Sequence, residues 1–141
     1  MKFGFDIHGV LDTHPEVYAA MTQALVAAGH EVHVITGAIW TQKADDQLKE
    51  FGIAWTHFFS ITTYHEEKGE IEVKWVDGKP YMDADAWNCT KAEYCRDNDI
   101  AWLIDDSPVY GKHFDDANIY VLQRDPRATE RWNILGATGH R

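Results

Sequence analysis

The sequence predicts an α/β fold built on a parallel sheet. Two observations carry that reading. Short runs of apolar and β-branched residues alternate with segments whose apolar residues recur at helical spacing. Several of these runs also stop at a polar or acidic residue, namely Asp6, Thr36 and Asp105. Strands that alternate with helices form βαβ units with right-handed crossovers. Such endings therefore gather on one rim of the sheet, where open α/β sheets bind their ligands.

The first strand is expected at Phe3–Ile7, ending in Asp6-Ile7-His8-Gly9-Val10. A helix comes next. Thr13 and Glu16 have capping-box spacing, Pro15 suits a first turn, and Gly29 suits the C′ position. Val17, Met21, Leu25 and Ala28 would form its apolar face. The second strand is Val32–Ile35, running into Thr36-Gly37, and a second helix covers about Gln42–Phe51. His57–Ile61 reads as the third strand.

The rhythm then breaks. Ile71, Val73 and Trp75 alternate with Glu72 and Lys74, and Asp77-Gly78 is a hairpin turn pair. The stretch Tyr64–Met82 therefore reads as a β-hairpin insertion into one domain spanning 1–141. A third helix lies within Ala84–Asp97. Thr90 and Glu93 have capping-box spacing, which allows a firm start as late as Lys91. The fourth strand is Ile100–Ile104, ending at Asp105-Asp106-Ser107-Pro108, and the fifth is Asn118–Leu122. The polar stretch from Asp125 has no assignable structure.

Composition narrows the function. A chain of 141 residues, 45% apolar with six Trp, can bury roughly 70% of its unfolded surface. The formal charge of −10 argues against nonspecific binding to nucleic acid or an anionic membrane, both of which need basic patches. An anionic small substrate remains compatible, because a bound metal reverses the local field. Cys89 and Cys95 do not form a C-x-x-C pair, so reduced thiols and a cytoplasmic location are expected. No apolar run reaches the ~18 residues of a membrane span, and the immediate strand start gives no sign of a signal peptide.

Chemistry concentrates at the strand ends. Adjacent acids after a buried strand, Asp105 and Asp106, repel each other and lose solvation, and a divalent cation relieves both costs. Oxygen ligands suit Mg²⁺. Asp-Ser-Pro is equally good turn chemistry on its own.

Asp6-Ile7-His8-Gly9-Val10, Thr36-Gly37, Lys91 and Asp105-Asp106 together resemble the four motifs of the haloacid dehalogenase superfamily, most of whose members are phosphatases. The resemblance spans the core from Phe3 to Leu122. It implies a three-layer Rossmann-like sandwich with a five-stranded parallel sheet in the order 5-4-1-2-3. It also implies a Mg²⁺-dependent phosphomonoester hydrolase in which Asp6 is the nucleophile and forms an aspartyl-phosphate. By the same resemblance Mg²⁺ is held by Asp6, the backbone carbonyl of His8, and an acid of the Asp105/Asp106 pair, with Asp105 slightly favoured as direct ligand. Thr36 and Gly37 would hold a phosphoryl oxygen, and Lys91 would neutralise the phosphate and the carboxylates.

The chain departs from the pattern at His8, where most phosphatases of the family carry the Asp that protonates the leaving group. Histidine can do that work near neutral pH. The alternative is a catalytically impaired protein that binds phosphate or a nucleotide. A dehalogenase is a third reading, weakened by the acidic pair, since dehalogenation needs no metal. The expected partner is a small phosphorylated substrate, and a nucleotide is compatible. No nucleic-acid or membrane partner is expected. Trp40, His65 and Trp75 could touch a substrate, and the small hairpin cover leaves room for a neighbouring subunit.

Overall fold

The computed structural model describes residues 1–115 and 118–123, so the stretch from Asp125 lies outside the described residues. Five strands, β1 (Lys2–Phe5), β2 (Glu31–Thr36), β3 (His57–Ser60), β6 (Trp102–Asp105) and β7 (Ile119–Leu122), form one parallel sheet in the order β3-β2-β1-β6-β7. With the hairpin strands left out of the count, this is the expected order 5-4-1-2-3. β1 lies at the centre, with Phe3 opposite both Val32 and Trp102.

Side-chain alternation builds the layers. Phe3, Phe5, Val32, Val34, Phe58, Trp102 and Ile104 point to one face. There they meet α1 (Pro15–Ala27) and α2 (Gln42–Glu50) through Tyr18, Met21, Leu25, Val26 and Leu48. Ile35, Leu103 and Phe59 point to the other face, against Tyr94 and Cys95 of α4 (Ala84–Asp97). Over the central strands both faces are covered, which is why β1 and β2 are near-continuous apolar runs, whereas Ile119, Val121 and Leu122 of the edge strand β7 are exposed. Among the described residues no helix is long and apolar enough to cross a membrane.

Four local expectations are corrected. First, the stretch after β3 is a helix, α3 (Ile61–Lys68), so the insertion is shorter than Tyr64–Met82. The Ser60 hydroxyl accepts from the Thr63 amide at 3.1 Å and Gly69 closes the helix at φ 70°. Ile61, Thr62 and Thr63 are weak helix formers, so these caps and packing on Trp87 decide the outcome. The antiparallel hairpin itself is β4 (Lys74–Val76) and β5 (Lys79–Tyr81). Asp77 and Gly78 turn it with φ of 51° and 74°, as the Asp-Gly pair predicts.

Second, α1 has no capping box. Its N-cap is His14 without a side-chain bond, and the Thr13 hydroxyl instead donates to the Val10 carbonyl at 2.8 Å. Third, its buried stripe is centred on Tyr18 and Thr22, while Val17 is 53% exposed. Fourth, α4 starts at Ala84, because Asp83 accepts from the Ala86 amide at 3.0 Å. The Thr90 hydroxyl donates back to the Ala86 carbonyl. Lys91 therefore sits about two turns inside the helix and not at its start.

Candidate functional site

Asp6 leaves the central strand while its amide still donates to the Ile104 carbonyl at 3.0 Å. The chain then turns through Ile7–Leu11, where Leu11 bonds back to the Asp6 carbonyl at 3.3 Å and Asp12 to that of Ile7 at 3.2 Å. Gly9 takes φ 84°, a conformation that costs side-chain-bearing residues energy. A Cβ there would lie 2.1 Å from Asp106 Oδ2. Backbone conformation and space both require glycine, so the loop can close over the acidic pair.

The turn is held from two sides. Asp12 Oδ1 accepts the Gly9 amide at 2.8 Å. The Gln123 amide group donates to the Gly9 carbonyl at 2.8 Å and to Thr13 Oγ1 at 3.0 Å, and its oxygen accepts from the Tyr18 hydroxyl. The backbone amide of Gln123 also donates to the Asp105 carbonyl at 2.8 Å. Gln123 thus ties the end of β7 to both acidic loops. Sequence reading missed it, since nothing local marks a polar residue after an edge strand.

Alternation along β6 places Asp105 on the face covered by α4, and there it meets Lys91. The Lys91 ammonium lies 2.6 Å from Asp105 Oδ2 and 3.2 Å from Asp6 Oδ1. Asp105 Oδ1 accepts the Ser107 amide at 3.0 Å. Lys91 Nζ also stands 4.6 Å from the ring centre of Tyr110, whose hydroxyl accepts from the Trp87 indole at 2.9 Å. Lys91 is 1% exposed, and Asp6, Asp105 and Asp106 are at most 7% exposed. Lys43 and Lys79, by contrast, are exposed.

This crowding sets the electrostatics. Carboxylate oxygens of Asp6, Asp105 and Asp106 all lie within 4.8 Å of one another. Burial, then the neighbouring Asp105, push the Asp6 carboxyl well above its ordinary pKa; Lys91 opposes this and Asp106 adds to it. Burial works against the Lys91 ammonium, but Asp105 and Asp6 outweigh it and hold its pKa above the usual lysine value. The Lys91 ammonium pairs with Asp6 and Asp105 of this triad, and a metal ion beside the three carboxylates would further favour the ionised form of Asp6. Oxygen-only donors are the chemistry of a hard cation, and the triad fits one.

The other expected residues lie around this cluster or away from it. Thr36 ends β2 on the same rim, is buried, and its hydroxyl oxygen accepts the Ala38 amide at 3.3 Å. Gly37 lies under Trp87, 2.6 Å from where its Cβ would stand, and its carbonyl accepts from Thr62 at 2.6 Å. The His8 side chain is 47% exposed, with Nδ1 3.3 Å from Asp12 Oδ2. Trp40 packs on Phe58, Trp75 bonds Glu66, and His65 is buried against Thr90. Asn88, one turn before Lys91 on α4, is 7% exposed and its Oδ1 has no hydrogen-bond partner among the described residues; sequence reading passed over it. No protein-family model matches the chain, and no significant match was found among curated proteins or solved structures.

Proposed function

We propose that the chain is a Mg²⁺-dependent phosphomonoester hydrolase of the haloacid dehalogenase type, acting on a small phosphate ester such as a nucleotide. The observation that carries this reading is Lys91, buried and bridging Asp6 at the end of the central strand to Asp105 at the end of its neighbour. A lysine is rarely buried without a charged partner, and here it orders two carboxylates at the rim where ligands bind.

In this reading Asp6 attacks phosphorus, a new P–O bond forms to its carboxylate, and the ester P–O bond breaks. The departing oxygen takes a proton from His8, and water then releases phosphate and restores Asp6. Lys91, the Thr36 hydroxyl and the Gly37 backbone balance charge on the phosphoryl oxygens. Mg²⁺ would be held by Asp6, Asp105, Asp106 and the His8 carbonyl, and when bound it offsets negative charge on the phosphoryl group. Gln123 and Asp12 keep the Gly9 turn in place.

A phosphate-binding protein without turnover is the second reading. It is favoured by His8, whose side chain is half exposed and turned to Asp12. A panel of phosphate esters assayed with Mg²⁺ and with chelator separates the two. The hydrolase reading expects Mg²⁺-dependent turnover that Asp6→Asn abolishes. It also expects His8→Ala to cost alkyl esters ~10²–10⁴-fold and activated aryl esters far less, since only poor leaving groups need an acid. Phosphate binding with no turnover, restored by His8→Asp, would establish the second reading instead.

A further inference from the structure

The opposite edge of the same sheet carries a second group of ligating side chains. Glu31 and His33 lie two residues apart on β2 and share a face, and the register sets His57 of β3 directly beside His33. His33 Nε2 is 2.9 Å from Glu31 Oε1, and His57 Nδ1 is 3.5 Å from that same oxygen. Each residue offers one donor atom, and the three donors all lie within 4.8 Å of one another. The group belongs to the amino-terminal halves of two strands and shares no residue with the acidic site.

We propose that Glu31, His33 and His57 form a Zn²⁺-class metal site. Two imidazoles and a carboxylate are a zinc donor set, and tetrahedral zinc with ~2.0–2.1 Å bonds needs donors about 3.3 Å apart. The two distances to Glu31 Oε1 bracket that value. Imidazole donors also select zinc, cobalt or nickel over magnesium, so the two edges of the sheet would take different ions.

The surroundings resemble a supported ligand set. The other nitrogen of His33, Nδ1, is 2.6 Å from the Tyr94 hydroxyl of α4, the kind of outer contact that fixes ring orientation in metal sites. His33 is 2% exposed and held, while Glu31 and His57 are 38% and 49% exposed and leave the group open to solvent. That openness gives an ion a path in and leaves room for water as a fourth ligand. The His33 and His57 rings are stacked, with centroids 4.3 Å apart and planes 6° apart. Binding therefore requires the His57 ring to turn, giving up its 2.8 Å contact with Thr56 Oγ1. Lys2, 3.9 Å from Glu31 Oε2, is the cation that the metal would compete with.

The test uses the untagged full chain in excess Mg²⁺, so that the acidic site is filled by a hard ion. Co²⁺ is titrated while visible absorption is recorded, and Zn²⁺ is then added in competition. One equivalent of Co²⁺ with the strong absorption of a tetrahedral site, displaced by Zn²⁺, is expected. His57→Ala and Glu31→Gln, both at half-exposed positions, should each weaken binding at least tenfold while the metal-free melting temperature holds. His30 Nδ1 lies 2.8 Å from the terminal amine and is a rival position, so His30→Gln should leave the signal intact. Loss of the signal in His30→Gln, equal affinity in His57→Ala, or no Co²⁺ spectrum at all would overturn the proposal, the last leaving a hydrogen-bonded cluster only.

Discussion

The two edges of one sheet face make an instructive pair. At the carboxyl edge, Asp6, Asp105, Asp106 and Lys91 are closed in by the Gly9 turn and by α4. At the amino edge, His33 is equally buried, but Glu31 and His57 stand half in solvent. The same helix serves both: Lys91 reaches the acids, and Tyr94, one turn on, reaches His33. The difference lies in where the chain goes at each edge. Carboxyl ends feed into loops that fold back over the rim, so charges there lose water and must be paired. Amino ends receive the chain from outside, so charges there keep part of their hydration.

That contrast is broken most severely by Lys91→Met. The substitution takes the ammonium away from two buried carboxylates, Asp6 and Asp105, that lie close to a third, Asp106. Removing one partner of a buried ion pair costs about 3–5 kcal/mol. Denaturant unfolding in chelator should show a loss of that size, and excess Mg²⁺ should recover part of it by binding the native state. A loss below about 1 kcal/mol, well under that range, would mean that the carboxyls simply take up protons, and that Lys91 does not hold the rim together.

Gly9→Ala ranks next. Its backbone sits at φ 84° and its Cβ would meet Asp106, so strain of about 1–3 kcal/mol is expected. The more telling effect is on the ion. Displacing Asp106 should abolish the rise in melting temperature that Mg²⁺ gives the parent chain, while leaving the Co²⁺ spectrum of the amino edge unchanged. If both metal responses vanish together, the two edges are one coupled unit and the comparison fails.

Much of the fold and part of the site were legible in the sequence, for physical reasons that differ by element. Strands buried on both faces write themselves as apolar runs, and the polar residues that end them mark the rim. The resemblance supplied the strand order and pointed to Lys91. What stayed hidden depends on tertiary contacts. The β-branched start of α3 argues for a strand, and only the Ser60 cap and packing on Trp87 reverse it. The Thr90/Glu93 spacing suggests a helix start, yet Asp83 had already capped α4. Gln123 braces Gly9 from the far end of the described chain, and no local pattern encodes such a bond. His33 and His57 read as ordinary strand residues until register places them side by side.

The smallest expected effect separates acid sensitivity of the interior from that of the two edges. His65 lies on α3, 5% exposed, with Nε2 2.8 Å from Thr90 Oγ1. The Thr90 hydroxyl gives its proton to the Ala86 carbonyl, so its oxygen accepts from His65 Nε2–H, and Nδ1 is then bare in the neutral ring. Burial lowers the pKa of His65 below 6.5; Lys68 lowers it further and Glu93 opposes both, while the Tyr64 ring packs edge-on beside it. Above the unfolded value of about 6.5 the ring is neutral in both states and stability is unaffected. As pH falls below it, the unfolded chain takes the proton first, and stability is lost down through the lower folded pKa. The slope from this one group cannot exceed about 1.4 kcal/mol per pH unit. His65→Gln, which can keep a donor towards Thr90, should flatten that limb of a melting-temperature profile recorded in chelator. His33 at the amino edge, also held below its ordinary value by burial against the opposing Glu31 hydrogen bond, accounts for acid loss that persists in the variant. An unchanged profile in His65→Gln would place the whole acid response at the sheet edges.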